Sequence, residues 1–183
     1  MIRVIPNIIS FGRLAAVPLA VWLILDDRIL TAFWLFVAAG VSDAVDGFIA
    51  KRFHAVTLLG SFLDPLADKV LLVSVYITLG VVGYLDNWLV ILVVFRDLLI
   101  VGGALVFQTM TQSLVMQPLF ISKINTVAQI LLAALVLGAV GYNLDAGMVL
   151  STMLGVVAIT TLLSGVMYVV KWTRKANAME DRQ

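Results

Sequence analysis

The chain has no cysteine, a single histidine (His54), four prolines and few charged residues, 13% of the total. Without cysteine, neither a disulfide framework nor a thiolate metal site is available. His54 lies in a short polar stretch beside Lys51 and Arg52 and reads as a solvated side chain rather than a catalytic base. No low-complexity segment, short-period repeat or linker divides the sequence. The scarcity of charge is matched by an apolar fraction of 62%, where soluble domains have roughly 45–50%. Together with a mean hydropathy of +1.10, this excludes a soluble globular domain and predicts an all-α integral membrane protein. A length of 183 residues suggests one domain, residues 1–183. The start of the chain does not read as a cleaved signal peptide, because Arg13 interrupts the apolar run and a spanning helix continues beyond it.

Six apolar segments are predicted as helices, at about Ile5–Leu25, Leu30–Ala50, Thr57–Tyr84, Trp88–Met110, Leu119–Tyr142 and Met148–Trp172. Each is long enough to cross about 30 Å of hydrocarbon. Six spans put both termini on one side. That side carries Arg3, Lys51, Arg52, Lys171, Arg174, Lys175 and Arg182, against Arg28 alone opposite, where Asp26, Asp27, Asp86 and Asp145 gather. The positive-inside rule therefore turns the termini and the Lys51–His54 loop to the cytoplasm. Scattered Met and aromatic residues read as lipid-facing or core filling, with Trp88 and Trp172 as interface anchors.

Charge inside the predicted spans is the exception that needs a reason, since each such group costs about 2.5–3.5 kcal/mol on the lenient insertion scale. There are nine: Arg13, Asp43, Asp46, Asp64, Asp68, Lys69, Arg96, Asp97 and Lys123. Four of the acids fall in DAVDGFIAKRFHAVTLLGSFLDPLAD, from Asp43 to Asp68. At about 100° per residue, Asp43, Asp46, Gly47 and Ala50 share one helical face, while Gly60, Asp64 and Asp68 line a face of the next helix. Packed together, the two faces make a polar cavity of carboxylate oxygens, opening at the cytoplasmic interface, with small residues that let a ligand approach the backbone. Four adjacent carboxylates require neutralising cations, and oxygen-only ligands suit hard divalent ions such as Mg2+, Mn2+ or Ca2+. Pro65 removes a backbone donor inside the third segment and is expected to bend it. For the other charges a structural reading stands beside the functional one: Lys69 and Arg96-Asp97 read either as internal ion pairs or as ligand contacts.

The acidic stretch resembles the signature of the CDP-alcohol phosphatidyltransferase family, D-x2-D-G-x2-A-R-x8-G-x3-D-x3-D. It matches in register at Asp43, Asp46, Gly47, Ala50, Gly60, Asp64 and Asp68, and departs where Lys51 replaces the pattern's arginine, with Arg52 next to it. Asn7, Ser10 and Arg13 similarly look like the polar face of the family's first helix. The resemblance implies transfer of a phosphatidyl group from CDP-diacylglycerol to an alcohol with release of CMP, in phospholipid biosynthesis. It implies two divalent cations (Mg2+ or Mn2+) held by Asp43, Asp46 and Asp64, with Asp68 as general base that also touches a metal. Gly47, Ala50 and Gly60, with Asp43 and Asp46, would form the nucleotide pocket. Lys51 would meet phosphate as a point charge, without an arginine's bidentate fork, unless Arg52 takes that contact.

The phrase from Phe62 to Lys69 resembles the glycerophosphate and cardiolipin branches, whose acceptor is anionic: phosphatidylglycerol, giving cardiolipin, or glycerol-3-phosphate, giving phosphatidylglycerophosphate. Arg96-Asp97 and the opening of the fifth helix, Pro118 to Thr126, look closer to the CMP-forming cardiolipin synthases. Arg96, Lys123 and Arg52 are the candidate partners of an acceptor phosphate. A homodimer in a bacterial inner membrane is the expected setting, and no nucleic-acid partner is expected. A cation transporter or proton relay would also place charges at membrane depth. However, the second half of the chain has no counterpart to Asp43–Asp68, as paired transporter halves would require.

Overall fold

The computed structural model describes the backbone of residues 5–52, 58–111 and 120–180, and the side chains of residues 11–43, 45, 67–103 and 120–173. These form six helices: α1 (Ile5–Leu25), α2 (Ile29–Arg52), α3 (Leu58–Val82), α4 (Asn87–Thr111), α5 (Phe120–Gly141) and α6 (Gly147–Glu180). No strand occurs among the described residues. The predicted segments and the observed helices agree within a few residues at every described boundary but one. The last helix continues beyond Trp172 through the basic tail to Glu180, because a span boundary is set by lipid while helix continuation needs only permissive residues. α3 runs as one helix through Pro65.

α1, α3 and α5 all end in the same way. Asp27, Gly83 and Asn143 have φ of 57°, 88° and 53°, the left-handed conformation that Gly, Asn and Asp adopt at least cost. At each end the next amide turns back to a carbonyl five residues earlier: Arg28 to Leu23 at 2.9 Å, Tyr84 to Leu79 at 2.9 Å and Leu144 to Ala139 at 2.8 Å. These Schellman caps satisfy carbonyls that a helix end otherwise leaves open. Around the first of them, Arg28 pairs with Asp26 at 2.8 Å and lies over the Trp22 ring. Tyr84 donates to Asp27 at 3.2 Å, and partial desolvation together with that carboxylate raises its phenol pKa above the usual value.

The helices group into two compact units, one of residues 1–86 and 133–146, the other of residues 87–132 and 147–183. In the first, α1 packs on both α2 and α3. Its core holds Ile24, Val75, Tyr76 and Leu79, all at 1% exposure or less. Small residues set the spacing: at Gly141 a Cβ would stand 2.9 Å from the Leu30 backbone, and at Gly138 it would press on the Phe33 ring, the close approach usual between helices in lipid. In the second unit α4 packs on α6 around Leu89, Val93, Leu132 and Val157. Trp172 lies against Gly103, where any side chain would overlap its ring, and stacks at a tilt on Tyr168.

Among the described residues, two helices are long and apolar enough to cross a membrane, Phe120–Gly141 and Gly147–Thr173; Phe11–Leu25 and Ile29–Asp43 are shorter apolar stretches. Large apolar side chains stand outward on most helices, including Trp34, Trp88, Phe95, Leu98 and Ile159. So much exposed apolar surface is at odds with a water-facing exterior.

Candidate active site

Arg13 points from α1 into the first unit and is buried, its side chain only 2% exposed. Its Nη1 lies 2.8 Å from Asp43 Oδ1 and also donates to Asp68 Oδ1. Asp43 comes from the second half of α2 and Asp68 from the first half of α3, so one guanidinium joins three helices. Both oxygens bond the same nitrogen, so they lie no farther apart than two hydrogen-bond lengths. Two carboxylates this close repel unless a cation stands between them, and Arg13 supplies it from the protein side. The carboxylates themselves are partly open, Asp43 being 46% and Asp68 40% exposed.

This arrangement suits a hard cation. The three groups together carry a surplus negative charge, and the open carboxylate faces offer only oxygen donors, the chemistry that Mg2+ and Mn2+ accept. Asp46 lies one turn beyond Asp43 on α2 and Asp64 one turn before Asp68 on α3, but their side chains are outside the described residues. Among the described residues no set of three or more acidic, histidine or cysteine side chains gathers as a metal site. Gly47, Ala50, Lys51 and Arg52 close α2, and Gly60 lies in the first turn of α3; their side-chain surroundings, and His54 altogether, fall outside the described residues.

Arg13 is the site residue that sequence reasoning placed on a polar helix face without a partner. Asn7 and Ser10 share that face, but their side chains are outside the described residues. The available signal was the cost of a lone arginine in an apolar segment, which demands an anion; which anion could not be read from local spacing.

A second polar cluster occupies the other unit. Arg96, 3% exposed, donates from Nη1 to Asp97 at 2.6 Å, from Nη2 to Ser122 at 2.6 Å and from Nε to Ser164 at 3.2 Å. This is the geometry of an internal ion pair, the structural alternative to a phosphate contact. One turn along α5, Asn125 accepts from Thr160 at 2.8 Å and Thr161 at 2.9 Å. Lys123, next to Ser122, is exposed. Trp172, expected at the interface, contacts Gly103 and Tyr168, while Trp88 is exposed.

Residues 3–170 match the family model of the CDP-alcohol phosphatidyltransferases. A chloroplastic CDP-diacylglycerol–glycerol-3-phosphate 3-phosphatidyltransferase of Oryza sativa is 37% identical over 92% of this chain and 56% of its own length. A CMP-forming cardiolipin synthase of Rattus norvegicus is 32% identical over 90% of this chain and 60% of its own. The chain thus spans less than two thirds of the length of either relative. A CDP-diacylglycerol–glycerol-3-phosphate 3-phosphatidyltransferase of Bacillus subtilis is 31% identical over 88% of this chain and 91% of its own length.

Proposed function

The chain belongs to the CDP-alcohol phosphatidyltransferase family, and from that premise we propose that it transfers the phosphatidyl group of CDP-diacylglycerol to the hydroxyl of an anionic acceptor and releases CMP. The observation that carries this reading is the meeting of Asp43 and Asp68, from opposite ends of the signature stretch, on one buried arginine.

In the proposed reaction, the acceptor oxygen forms a bond to the lipid-side phosphorus as the bond from that phosphorus to the CMP oxygen breaks. Asp68 takes the acceptor's hydroxyl proton, and its half-open position supports that role. Asp43, Asp46 and Asp64, with Asp68 at the edge, would hold two divalent cations, Mg2+ or Mn2+, which when bound neutralise the pyrophosphate and stabilise the leaving phosphate. Gly47, Ala50 and Gly60 would keep side chains out of the nucleotide pocket, and Lys51 or Arg52 would meet a phosphate. Lys123, exposed on α5, is the more accessible candidate for the acceptor's phosphate, since Arg96 is engaged within its own unit.

We place all six helices across a membrane in a single catalytic domain, with both termini and the aspartate site facing the cytoplasm. The distribution of basic residues and the outward apolar side chains support this placement. A bacterial inner membrane and a homodimer fit the same reading.

Two acceptors fit the chemistry, phosphatidylglycerol and glycerol-3-phosphate. The sequence around Arg96-Asp97 and Pro118–Thr126 favours phosphatidylglycerol and hence cardiolipin; the relatives from rice and Bacillus support glycerol-3-phosphate. Purified protein in mixed micelles with CDP-diacylglycerol and Mn2+, given each acceptor in parallel, separates them by the mass of the lipid product. Cardiolipin from phosphatidylglycerol supports the first acceptor. Phosphatidylglycerophosphate from glycerol-3-phosphate overturns it while keeping the mechanism.

A further inference from the structure

Among the described residues, Arg13 is the arginine that joins carboxylates from two other helices. Its side chain is almost fully buried, yet the two carboxylates it joins are each nearly half exposed. The guanidinium is thus buried beneath an acid pair that keeps part of its own surface open. Arg13 is covalently fixed to α1, whereas a divalent ion comes and goes. When that ion leaves, Asp43 and Asp68 would be two facing anions on separate helices, a repulsion strong enough to part them unless a positive charge remains.

We infer that Arg13 is the resident counter-cation of the aspartate site: it holds Asp43 and Asp68 together on α1 when divalent ions are absent, and it competes with those ions for the same two carboxylates. The inference rests on the reading of these aspartates as cation ligands. Arg13 acts through Asp43 and Asp68, so it is a positioning residue. Its two effects are linked. Removing its charge weakens the metal-free protein and strengthens the site's attraction for an external cation, because affinity and stability share one coupling.

The test uses the full chain in detergent micelles, stripped by a chelator. Thermal unfolding is followed by circular dichroism and Mn2+ binding by the spin-resonance signal of the free ion. Arg13→Gln is expected to lower the metal-free unfolding temperature by at least about 5 °C. It should tighten Mn2+ binding about tenfold and enlarge the Mn2+-induced rise in unfolding temperature relative to wild type. Arg13→Lys, which keeps the charge, should stay within about twofold of wild-type affinity. Arg13→Gln combined with Asp43→Asn removes a negative charge with the positive one and should regain metal-free stability.

If wild type binds Mn2+ saturably and Arg13→Gln binds it no more tightly, the inference fails while the cation reading stands. If wild type shows no saturable binding, both fail. Should Arg13→Gln not fold at all, folding of the double variant supports the counter-charge role. Failure of both variants to fold would instead show that Arg13 is needed for packing alone.

Discussion

Arg96 separates two meanings of a buried charge. Its guanidinium bonds Asp97, Ser122 and Ser164 on three helices, and Asp97 is itself only 5% exposed. Arg96→Met is therefore expected to take a charge partner from a buried anion, a loss of about 3–5 kcal/mol, seen as a lower unfolding temperature in detergent. An acceptor-binding role makes the opposite prediction, with a raised KM for the acceptor and unchanged thermal stability. The sequence places Arg96 and Asp97 inside an apolar run but leaves both meanings open. The choice depends on two serines, 26 and 68 residues away. The same limit applies to Arg13, whose partner Asp68 is 55 residues distant. By contrast, the meeting of Asp43 and Asp68 is legible, because the acids repeat at helical spacing and fall in register with a known signature.

Helix termini carry the next level of the account. The turns at Asp26–Arg28, Leu85–Asn87 and Asn143–Gly147 are readable from polar residues between apolar runs. The conformation inside them follows from residue type: Asp27, Gly83 and Asn143 take up the left-handed cap position. Gly83→Val puts a branched side chain at φ 88° and should cost about 1–2 kcal/mol, although no more distant part of the chain comes within 4 Å of the new Cβ. Asn143→Gly, at a position that tolerates either residue, should change stability by no more than a few tenths of a kcal/mol. Thermal unfolding of the two variants side by side checks the cap assignment. Where α6 ends was not legible. Its apolar run stops near Thr173, but helix-forming residues such as Lys175 and Ala176 carry the turn pattern onward to Glu180.

At the scale of the whole molecule, the six helices among the described residues followed from the apolar runs, which are separated by charged turns, by the Asn143–Gly147 turn and by the neutral polar stretch from Thr111 to Pro118. The proposed orientation rests on seven basic residues on the terminal side against one opposite. The lack of cysteine makes this testable: single cysteines at Asp86→Cys and Gln183→Cys are the only thiols in their chains. An impermeant maleimide added to intact cells should label Cys at position 86 and spare position 183 until the membrane is opened. Labelling of both positions in intact cells would reject the six-span arrangement.

The central claim is that the aspartates of α2 and α3 perform cation-dependent transfer from a CDP-linked lipid. CMP release from CDP-diacylglycerol by the purified chain tests it, with phosphatidylglycerol and glycerol-3-phosphate both present, in Mn2+ or in excess chelator, for wild type and Asp68→Asn. The account predicts release in Mn2+, none in chelator, and a loss of at least about 100-fold in kcat for Asp68→Asn. Near-normal CMP release by Asp68→Asn, or release that ignores the chelator, would contradict it.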